Sequence, residues 1–236
     1  MSLGRAVRAI LPEFLERPIR GWMVARRDAK ALRDHRRSPA ASPPHAVKVE
    51  AVLACARRHG IRQLVETGTF EGEMARKVRG AFDSIVTIEL SPALAREARR
   101  KLRPYSRVTV LEGDSAEVLP RVLLDLRSPA LFWLDGHYSG GITARGERDT
   151  PLLEELRAIA GHGVPGHAVL IDDARLLGTG DYPSREQVER ILGAGMRGYR
   201  LTIEDDIARW EPALRAPGAS SDRHAVNQGA VPASGS

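Results

Sequence analysis

Cysteine, aromatic residues and long apolar stretches are all scarce in this chain of 236 residues. The single cysteine, Cys55, excludes an internal disulfide bond and favours a reducing compartment. No apolar run approaches the roughly 18 residues that a membrane-spanning helix needs. The first residues also lack the apolar core of a secretory signal, because Pro12, Glu13, Glu16 and Arg17 interrupt them. We therefore expect a cytoplasmic protein without a transmembrane segment.

Positive charge in excess is confined to the start of the chain. Residues 1–45 contain ten Arg or Lys and four Asp or Glu, a net charge of +6, whereas the remaining 26 basic and 26 acidic residues cancel. The rest of the chain therefore gives no sequence-level case for a nucleic-acid surface. Residues 1–37 predict a basic, amphipathic helical leader, which is either a flap packed on the domain or a contact for an anionic membrane or a protein partner.

Four segments follow from the composition: the leader 1–37, a Ser- and Pro-rich linker 38–45, a domain 46–211 and a disordered tail 212–236. In the domain, short β-branched runs alternate with helical patterns, which predicts an α/β fold with a largely parallel sheet and helices on both faces. The predicted strands are Gln63–Glu66, Ser84–Glu89, Val108–Glu112, Ala130–Asp135, His167–Asp172, Tyr199–Glu204 and Ile207–Glu211. The predicted helices cover about 46–59, 72–80, 92–103, 115–125, 150–161 and 184–194. Only Asp205 and Asp206 separate the last two strands, which predicts an antiparallel hairpin.

The first strand ends in an acid followed by two glycines four residues apart: Glu66, Gly68 and Gly72. Glycine lets a backbone approach a ligand closely, because it has no Cβ in the way. The spacing differs from the Gly-x-Gly-x-x-Gly fingerprint of dinucleotide-binding folds, which makes a dehydrogenase the weakest interpretation. The motif resembles the first motif of the class I methyltransferases that use S-adenosyl-L-methionine (SAM). Their Rossmann-like sheet has seven strands and ends in a hairpin.

The next two strands also end in acids, at Glu89 and at Asp114-Ser115. Ligands of open α/β sheets bind beyond the carboxyl ends of the strands. A carboxylate at Glu89 is placed to accept the two ribose hydroxyls of a nucleoside, and the family resemblance puts Asp114 near the adenine amine. The resemblance thus implies a SAM site formed by Glu66, Gly68, Thr69, Gly72, Glu89, Asp114, Ser115 and Asp135.

The fourth and fifth strands end in Asp135 and in the pair Asp172-Asp173. Three carboxylates at one edge of a sheet repel each other unless a cation or a proton lies between them. Ligation by oxygen alone suits Mg²⁺. The pattern resembles the metal-dependent O-methyltransferases, more closely the macrocin-type sugar enzymes than catechol O-methyltransferase. An alternative interpretation is that Asp172 or Asp173 caps the next helix or pairs with Arg175.

The segment Asp135-Gly136-His137 departs from the Asp-Gly-Asp of those sugar enzymes. His137 replaces an acid that is thought to act there as the general base, and histidine can take a proton near neutral pH. We therefore predict a SAM-dependent, Mg²⁺-dependent O-methyltransferase with His137 as the base and a sugar or another hydroxylated small molecule as the acceptor. Two alternatives stay open: a metal-independent N- or C-methyltransferase, and a non-catalytic SAM-binding module docked through its basic leader. The sequence leaves the oligomeric state undetermined.

Overall fold

The fold is built on one mixed β-sheet. This computed structural model describes residues 13–40, 42–136 and 150–213. The strands are β1 (Gln63–Thr67), β2 (Ser84–Glu89), β3 (Val108–Glu112), β4 (Ala130–Leu134), β5 (Ala168–Ile171), β6 (Tyr199–Glu204) and β7 (Ile207–Pro212). Their order across the sheet is β3-β2-β1-β4-β5-β7-β6. Strands β1 to β5 pair in parallel, and β7 runs antiparallel to β5 and β6. This arrangement confirms the predicted seven-stranded, Rossmann-like sheet and its C-terminal hairpin.

Helices cover both faces of the sheet. They are α1 (Glu13–Arg37), α2 (His45–His59), α3 (Glu73–Val78), α4 (Pro92–Leu102), α5 (Ser115–Asp125), α6 (Leu152–Gly161) and α7 (Arg185–Gly195), with a 3₁₀ turn at Ala174–Leu176. Apolar residues of α2, α3 and α4 form one core with Trp133 of β4. Those of α5, α6 and α7 form a second core with Phe132, because successive strand residues point to opposite faces.

Short local signals set several element ends. Ser91 caps α4 by accepting a hydrogen bond from the Leu94 N–H, and Ser184 caps α7 with a capping box. Both residues of the β6–β7 turn, Asp205 and Asp206, have positive φ angles of 53° and 57°. Two such residues are what a type I′ hairpin turn requires, and aspartate tolerates that conformation better than most residues.

Two strands end one residue before the predicted acid. Strand β4 stops at Leu134 and β5 at Ile171, so Asp135 and Asp172 are the first residues beyond the sheet. Their backbone N–H groups still donate to the neighbouring strands, from Asp135 to the Thr67 carbonyl (3.1 Å) and from Asp172 to the Leu134 carbonyl (3.0 Å). Both acids are therefore held at the end of the ladder and project from its rim.

The last turns of helix α1 contact the domain. Asp28 pairs with Lys77 of α3 at 2.6 Å, and His35 Nε2 lies 3.0 Å from the carboxylate of Asp205. These contacts favour the flap interpretation for this part of the leader, while Trp22 remains 61% exposed. Within the described residues, no helix is both long and apolar enough to cross a bilayer. Residues 1–12 of the leader and 214–236 of the tail lie outside the described residues, and β7 runs one residue past the predicted domain end.

Candidate active site

Strand register brings the predicted site residues to one edge of the sheet. Thr67 of β1 lies opposite Ile88 of β2 on one side and Leu134 of β4 on the other, and Leu134 lies opposite Ile171 of β5. The four residues that directly follow Thr67, Ile88, Leu134 and Ile171 therefore lie side by side in one row. That row reads Glu89, Gly68, Asp135 and Asp172 across the carboxyl ends of four neighbouring strands.

The glycine turn after β1 packs against the end of β4 without room for a side chain. Gly68 has a φ of +83°, and a Cβ there would lie 2.8 Å from the carbonyl carbon of Asp135 and still closer to its oxygen. Gly72 has a φ of +72° and precedes α3, where a Cβ would lie 2.8 Å from Leu102 Cδ1. The turn therefore needs glycine at both positions, for its backbone conformation and for close packing.

Glu66 and Thr69 flank this turn and are both buried. Burial raises the pKa of Glu66 to about 8. The Thr87 hydroxyl partly offsets this rise, and the carboxylates of Asp135 and Glu89 add to it. Its Oε2 atom has no hydrogen-bond partner among the described residues. The Thr69 hydroxyl lies 2.6 Å from that of Thr87 and fixes the turn to β2. Glu66 therefore retains an unused acceptor at the rim.

Glu89 fixes the loops around it through its carboxylate. One oxygen accepts from the Phe70 N–H at 2.7 Å and the other from the Ser91 N–H at 2.9 Å. Each carboxylate oxygen has a further lone pair for a hydroxyl group of a ligand. At the end of β3, Asp114 caps α5 by accepting from the Ala116 N–H at 2.9 Å. Next to it, Ser115 is buried at the start of that helix.

Asp135, Asp172 and Asp173 converge as the sequence predicts. One oxygen from each carboxylate lies within 4.8 Å of the others, a spacing that one cation can bridge. Asp172 and Asp173 are buried, and Asp173 adopts a left-handed conformation with φ 51°. Its backbone N–H donates to Asp172 Oδ1 at 2.9 Å. The pair is therefore held in a fixed arrangement at the end of β5.

Two basic side chains face these aspartates. Lys48 of α2 forms an ion pair with Asp172 and lies 4.0 Å from Asp173, and Arg175 Nη1 lies 2.8 Å from Asp173. The alternative pairing of Asp173 with Arg175, drawn from the sequence, is thus present in the structure. Burial and the carboxylate of Asp135 raise the pKa of Asp172 above its ordinary range, while Lys48 acts in the opposite direction. Burial disfavours the charged form of Lys48, but the three carboxylates outweigh it and raise the lysine pKa.

Glu155 is a further acid of the site, one that the sequence analysis does not identify. This residue of α6 is 1% exposed, and its Oε1 has no hydrogen-bond partner among the described residues. Burial raises its pKa to about 7, partly offset by the hydroxyls of Ser115 and Thr67. It lines a small pocket together with Asp135 and Asp172. A signal was present in the sequence, since Glu155 falls on the helix face that Leu152, Leu156 and Ile159 make apolar.

Lys48 is another site residue that the sequence analysis does not identify. It lies three and four residues before the buried Ala51 and Val52, so it borders the buried face of α2. The predicted base, His137, lies outside the described residues, and it directly follows Gly136 in the chain. Taken together, the described residues form a rim that can accept hydrogen bonds, hold a cation and exclude bulk water from several acids.

Comparison with known proteins finds similarity in structure but not in sequence families. No family model and no curated protein matches the chain. Among solved structures, the O-methyltransferase TomG from Streptomyces achromogenes, in complex with SAM, has a TM-score of 0.52 at 19% identity, covering 79% of this chain and 89% of TomG. An O-methyltransferase from Bacillus cereus, in complex with SAH, has a TM-score of 0.53 at 16% identity, covering 78% and 90%.

A third solved structure extends the similarity over more of the chain. The SAH-bound methyltransferase PaMTH1 from Podospora anserina has a TM-score of 0.50 at 17% identity, covering 87% of this chain and 99% of PaMTH1. Similarity at this level of identity establishes the architecture. The chain has the Rossmann-like fold of the SAM-dependent methyltransferases, as the resemblance in sequence predicted.

Proposed function

We propose that the protein is a SAM-dependent methyltransferase that transfers a methyl group to a hydroxyl oxygen of a small molecule. The observation that carries this proposal is the row at the carboxyl ends of four strands, in which three members are acids and the fourth, Gly68, leaves no space for a Cβ. The fold supports it, since two structures with this fold, TomG and the Bacillus cereus protein, are O-methyltransferases seen with SAM or SAH.

The residues present fit the methyl donor. Glu66 has a buried oxygen without a hydrogen-bond partner among the described residues, which suits the ammonium group of the donor's methionine part. Glu89 has acceptor capacity for ribose hydroxyls, and Asp114 and Ser115 are at the position that the resemblance assigns to adenine. With Gly68, Thr69, Gly72 and Asp135, these residues form our proposed SAM site.

The proposed reaction is an in-line displacement. The acceptor oxygen attacks the sulfonium methyl carbon, the carbon–sulfur bond breaks with its electron pair going to sulfur, and SAH leaves. His137 takes the hydroxyl proton in this scheme, since it follows the rim residue Asp135 by two positions. Holding the two reactants in line contributes on the order of 7–11 kcal/mol to such reactions.

The carboxylates of Asp135, Asp172 and Asp173 fit a hard divalent cation, because all three donors are oxygens within 4.8 Å of one another. We propose that they hold Mg²⁺, which when bound would lower the pKa of an acceptor hydroxyl and help to orient it. Lys48 must then yield part of its contact with Asp172 to the metal ion.

The same lysine favours a second candidate function, a methyltransferase that works without a metal. The Lys48 ammonium already supplies a positive charge to Asp172, and its side chain is 16% exposed. In that case Lys48 and Arg175 would offset part of the negative charge of the rim, and the acceptor could be nitrogen, carbon or oxygen. Sensitivity to a chelator distinguishes the two candidates.

We further propose a sugar or another polyhydroxylated small molecule as the acceptor, on the macrocin-type resemblance, and a cytoplasmic location, on the single cysteine. The basic leader remains a candidate contact for an anionic membrane or a protein partner. Removing residues 1–37 should then abolish liposome or partner binding and leave the kinetics unchanged.

The decisive experiment is calorimetric titration of SAM into the full-length protein with Mg²⁺ and again with EDTA, followed by an acceptor screen. We expect micromolar SAM binding in both buffers and turnover of a hydroxylated acceptor with Mg²⁺ only. An Asp172→Asn variant should bind SAM but lose the response to Mg²⁺. Absence of SAM binding in both buffers would refute the proposed function, and full activity in EDTA would favour the metal-independent candidate.

A further inference from the structure

A second cluster of side chains that can bind a metal ion lies near the amino end of β5, on the far side of the sheet rim from the candidate active site. Cys55 and His59 come from the last turns of α2, and Glu211 comes from β7. Because β7 is antiparallel to β5, with Trp210 opposite Val169, Glu211 lies near the amino end of β5, whereas Asp172 follows its carboxyl end. The cluster is therefore separate from the candidate active site.

The geometry of this cluster suits a tetrahedral ion. Cys55 and His59 are four residues apart and so face the same side of α2. One ligand atom from each of the three side chains lies within 4.8 Å of the others. His59 Nε2 and Glu211 Oε2 are 3.4 Å apart. Two such ligands on one zinc ion, each about 2.0–2.1 Å from it, would be about 3.3 Å apart.

The hydrogen bonding within the cluster leaves one acceptor unused. Arg58 Nη1 lies 2.6 Å from Glu211 Oε2, the oxygen that His59 also approaches. The other oxygen, Glu211 Oε1, is buried and has no hydrogen-bond partner among the described residues. Arg58 therefore occupies part of one carboxylate oxygen, while the other oxygen, beside the Cys55 thiol, keeps lone pairs that a cation can use.

The protonation of these groups is compatible with metal binding. Burial, followed by the proximity of Glu211, raises the pKa of the Cys55 thiol, which favours its protonated form. Burial also opposes ionisation of Glu211, but the Cys55 thiol and the Arg58 guanidinium outweigh it and lower the pKa of this carboxyl. One anionic ligand is thus ready, and a second forms when the thiol loses its proton.

We propose that Cys55, His59 and Glu211 form a binding site for Zn²⁺ or a similar borderline divalent ion. On binding, the sulfur–hydrogen bond breaks, its proton goes to solvent, and the thiolate binds the ion together with a neutral imidazole and a carboxylate. The two anionic ligands offset the charge of the ion, which suits a largely buried position, and the Arg58 guanidinium remains beside Glu211. Three protein ligands leave a fourth position for water.

The ligand set separates this site chemically from the aspartate rim. Thiolate and imidazole favour zinc-like ions, whereas three carboxylates favour Mg²⁺. The zinc-type site joins the end of α2 to β7. Its occupancy should therefore stabilise the packing of this helix on the sheet, since an ion that binds only the folded state shifts the folding equilibrium.

Titration of the full-length protein, without a polyhistidine tag, with Co²⁺ tests the proposal. Because Cys55 is the sole cysteine, a thiolate-to-cobalt charge-transfer band in the near ultraviolet reports on this site alone. We expect that band at one equivalent, with intense visible bands of tetrahedral cobalt, and their loss when Zn²⁺ is added. Cys55→Ser should abolish the charge-transfer band, and Glu211→Gln and His59→Gln should weaken Co²⁺ binding at least tenfold.

Asp172→Asn is the matched control, because it removes a ligand of the rim but none of this cluster, and it should leave the band unchanged. Zn²⁺ should also raise the thermal midpoint of the wild-type protein but not that of Cys55→Ser. The wild-type spectrum alone can overturn the proposal: cobalt that binds without a thiolate band, or does not bind, excludes the site. A thiolate band that forms with an unchanged affinity for Co²⁺ in both Glu211→Gln and His59→Gln would equally contradict the proposal.

Discussion

Replacing Glu155 with glutamine should remove a pH-dependent cost to folding. Glu155 is buried in α6, and burial raises the pKa of its carboxyl from 4.5 to about 7. The folded state thus favours the protonated form. The stability that this group contributes is complete below pH 4.5 and is lost as the pH rises through about 7, because the unfolded chain ionises first.

The size of the effect follows from the two pKa values. Each unit of difference corresponds to about 1.4 kcal/mol, so the free energy of unfolding of the wild type should fall by about 2 to 3 kcal/mol between pH 5 and pH 8 through this residue. Glutamine has nearly the same shape and carries no charge at either pH. The free energy of unfolding of Glu155→Gln should therefore exceed that of the wild type by about 3 kcal/mol at pH 8 and by less than about 1 kcal/mol at pH 5.

Urea denaturation of both proteins at the two pH values provides the measurement. Titrations elsewhere in the chain cancel in the difference between variant and wild type. Glu117→Gln is the matched control, since Glu117 also lies in the first turn of a helix but is exposed. A difference for Glu155→Gln that stays constant between pH 5 and pH 8, or that the control reproduces, would refute the assignment of Glu155 as a buried, neutral acid.

Three further substitutions test other parts of the site. His137→Ala should lower turnover by roughly 10²-fold or more and leave the calorimetric affinity for SAM unchanged; equal turnover would exclude His137 as the base. Lys48→Met should increase the affinity for Mg²⁺, because it removes the competing cation from Asp172; calorimetry that shows an unchanged affinity would place the metal elsewhere. Gly68→Ala should weaken SAM binding and lower the thermal midpoint well beyond Gly60→Ala, since both glycines have positive φ but only a Cβ at Gly68 would meet another backbone; equal effects would contradict the close packing.

The sequence was sufficient to predict the sheet and the position of its acids. Alternating strand and helix patterns imply parallel strands, and the carboxyl ends of parallel strands meet at one edge. We could therefore expect Asp135 and Asp172 to be neighbours once their strands were recognised. The observed register places them next to each other in the row at the carboxyl ends of β4 and β5. The hairpin was equally predictable, because Asp205 and Asp206 leave only a two-residue turn between two strands.

The groups that face these acids were harder to predict. Lys48 lies 124 residues before Asp172, and its contact depends on how α2 packs on the sheet, which no local pattern specifies. Cys55 and Glu211 come together for the same reason. Residues in helices reach a site only through tertiary packing, whereas residues at strand ends are placed by the sheet itself. Glu155 falls between these cases, because helical periodicity already assigns it to a buried face.

Helix α2 links the two candidate metal sites. Lys48 in its first turns pairs with Asp172 at one edge of the sheet, and Cys55 and His59 in its last turns lie beside Glu211 at the other. Any shift of this helix along the sheet must change both sets of contacts together. An ion that binds at the Cys55 end would therefore also restrict where the Lys48 ammonium can lie. The balance between lysine and divalent cation at the aspartate rim then depends on how firmly α2 is held.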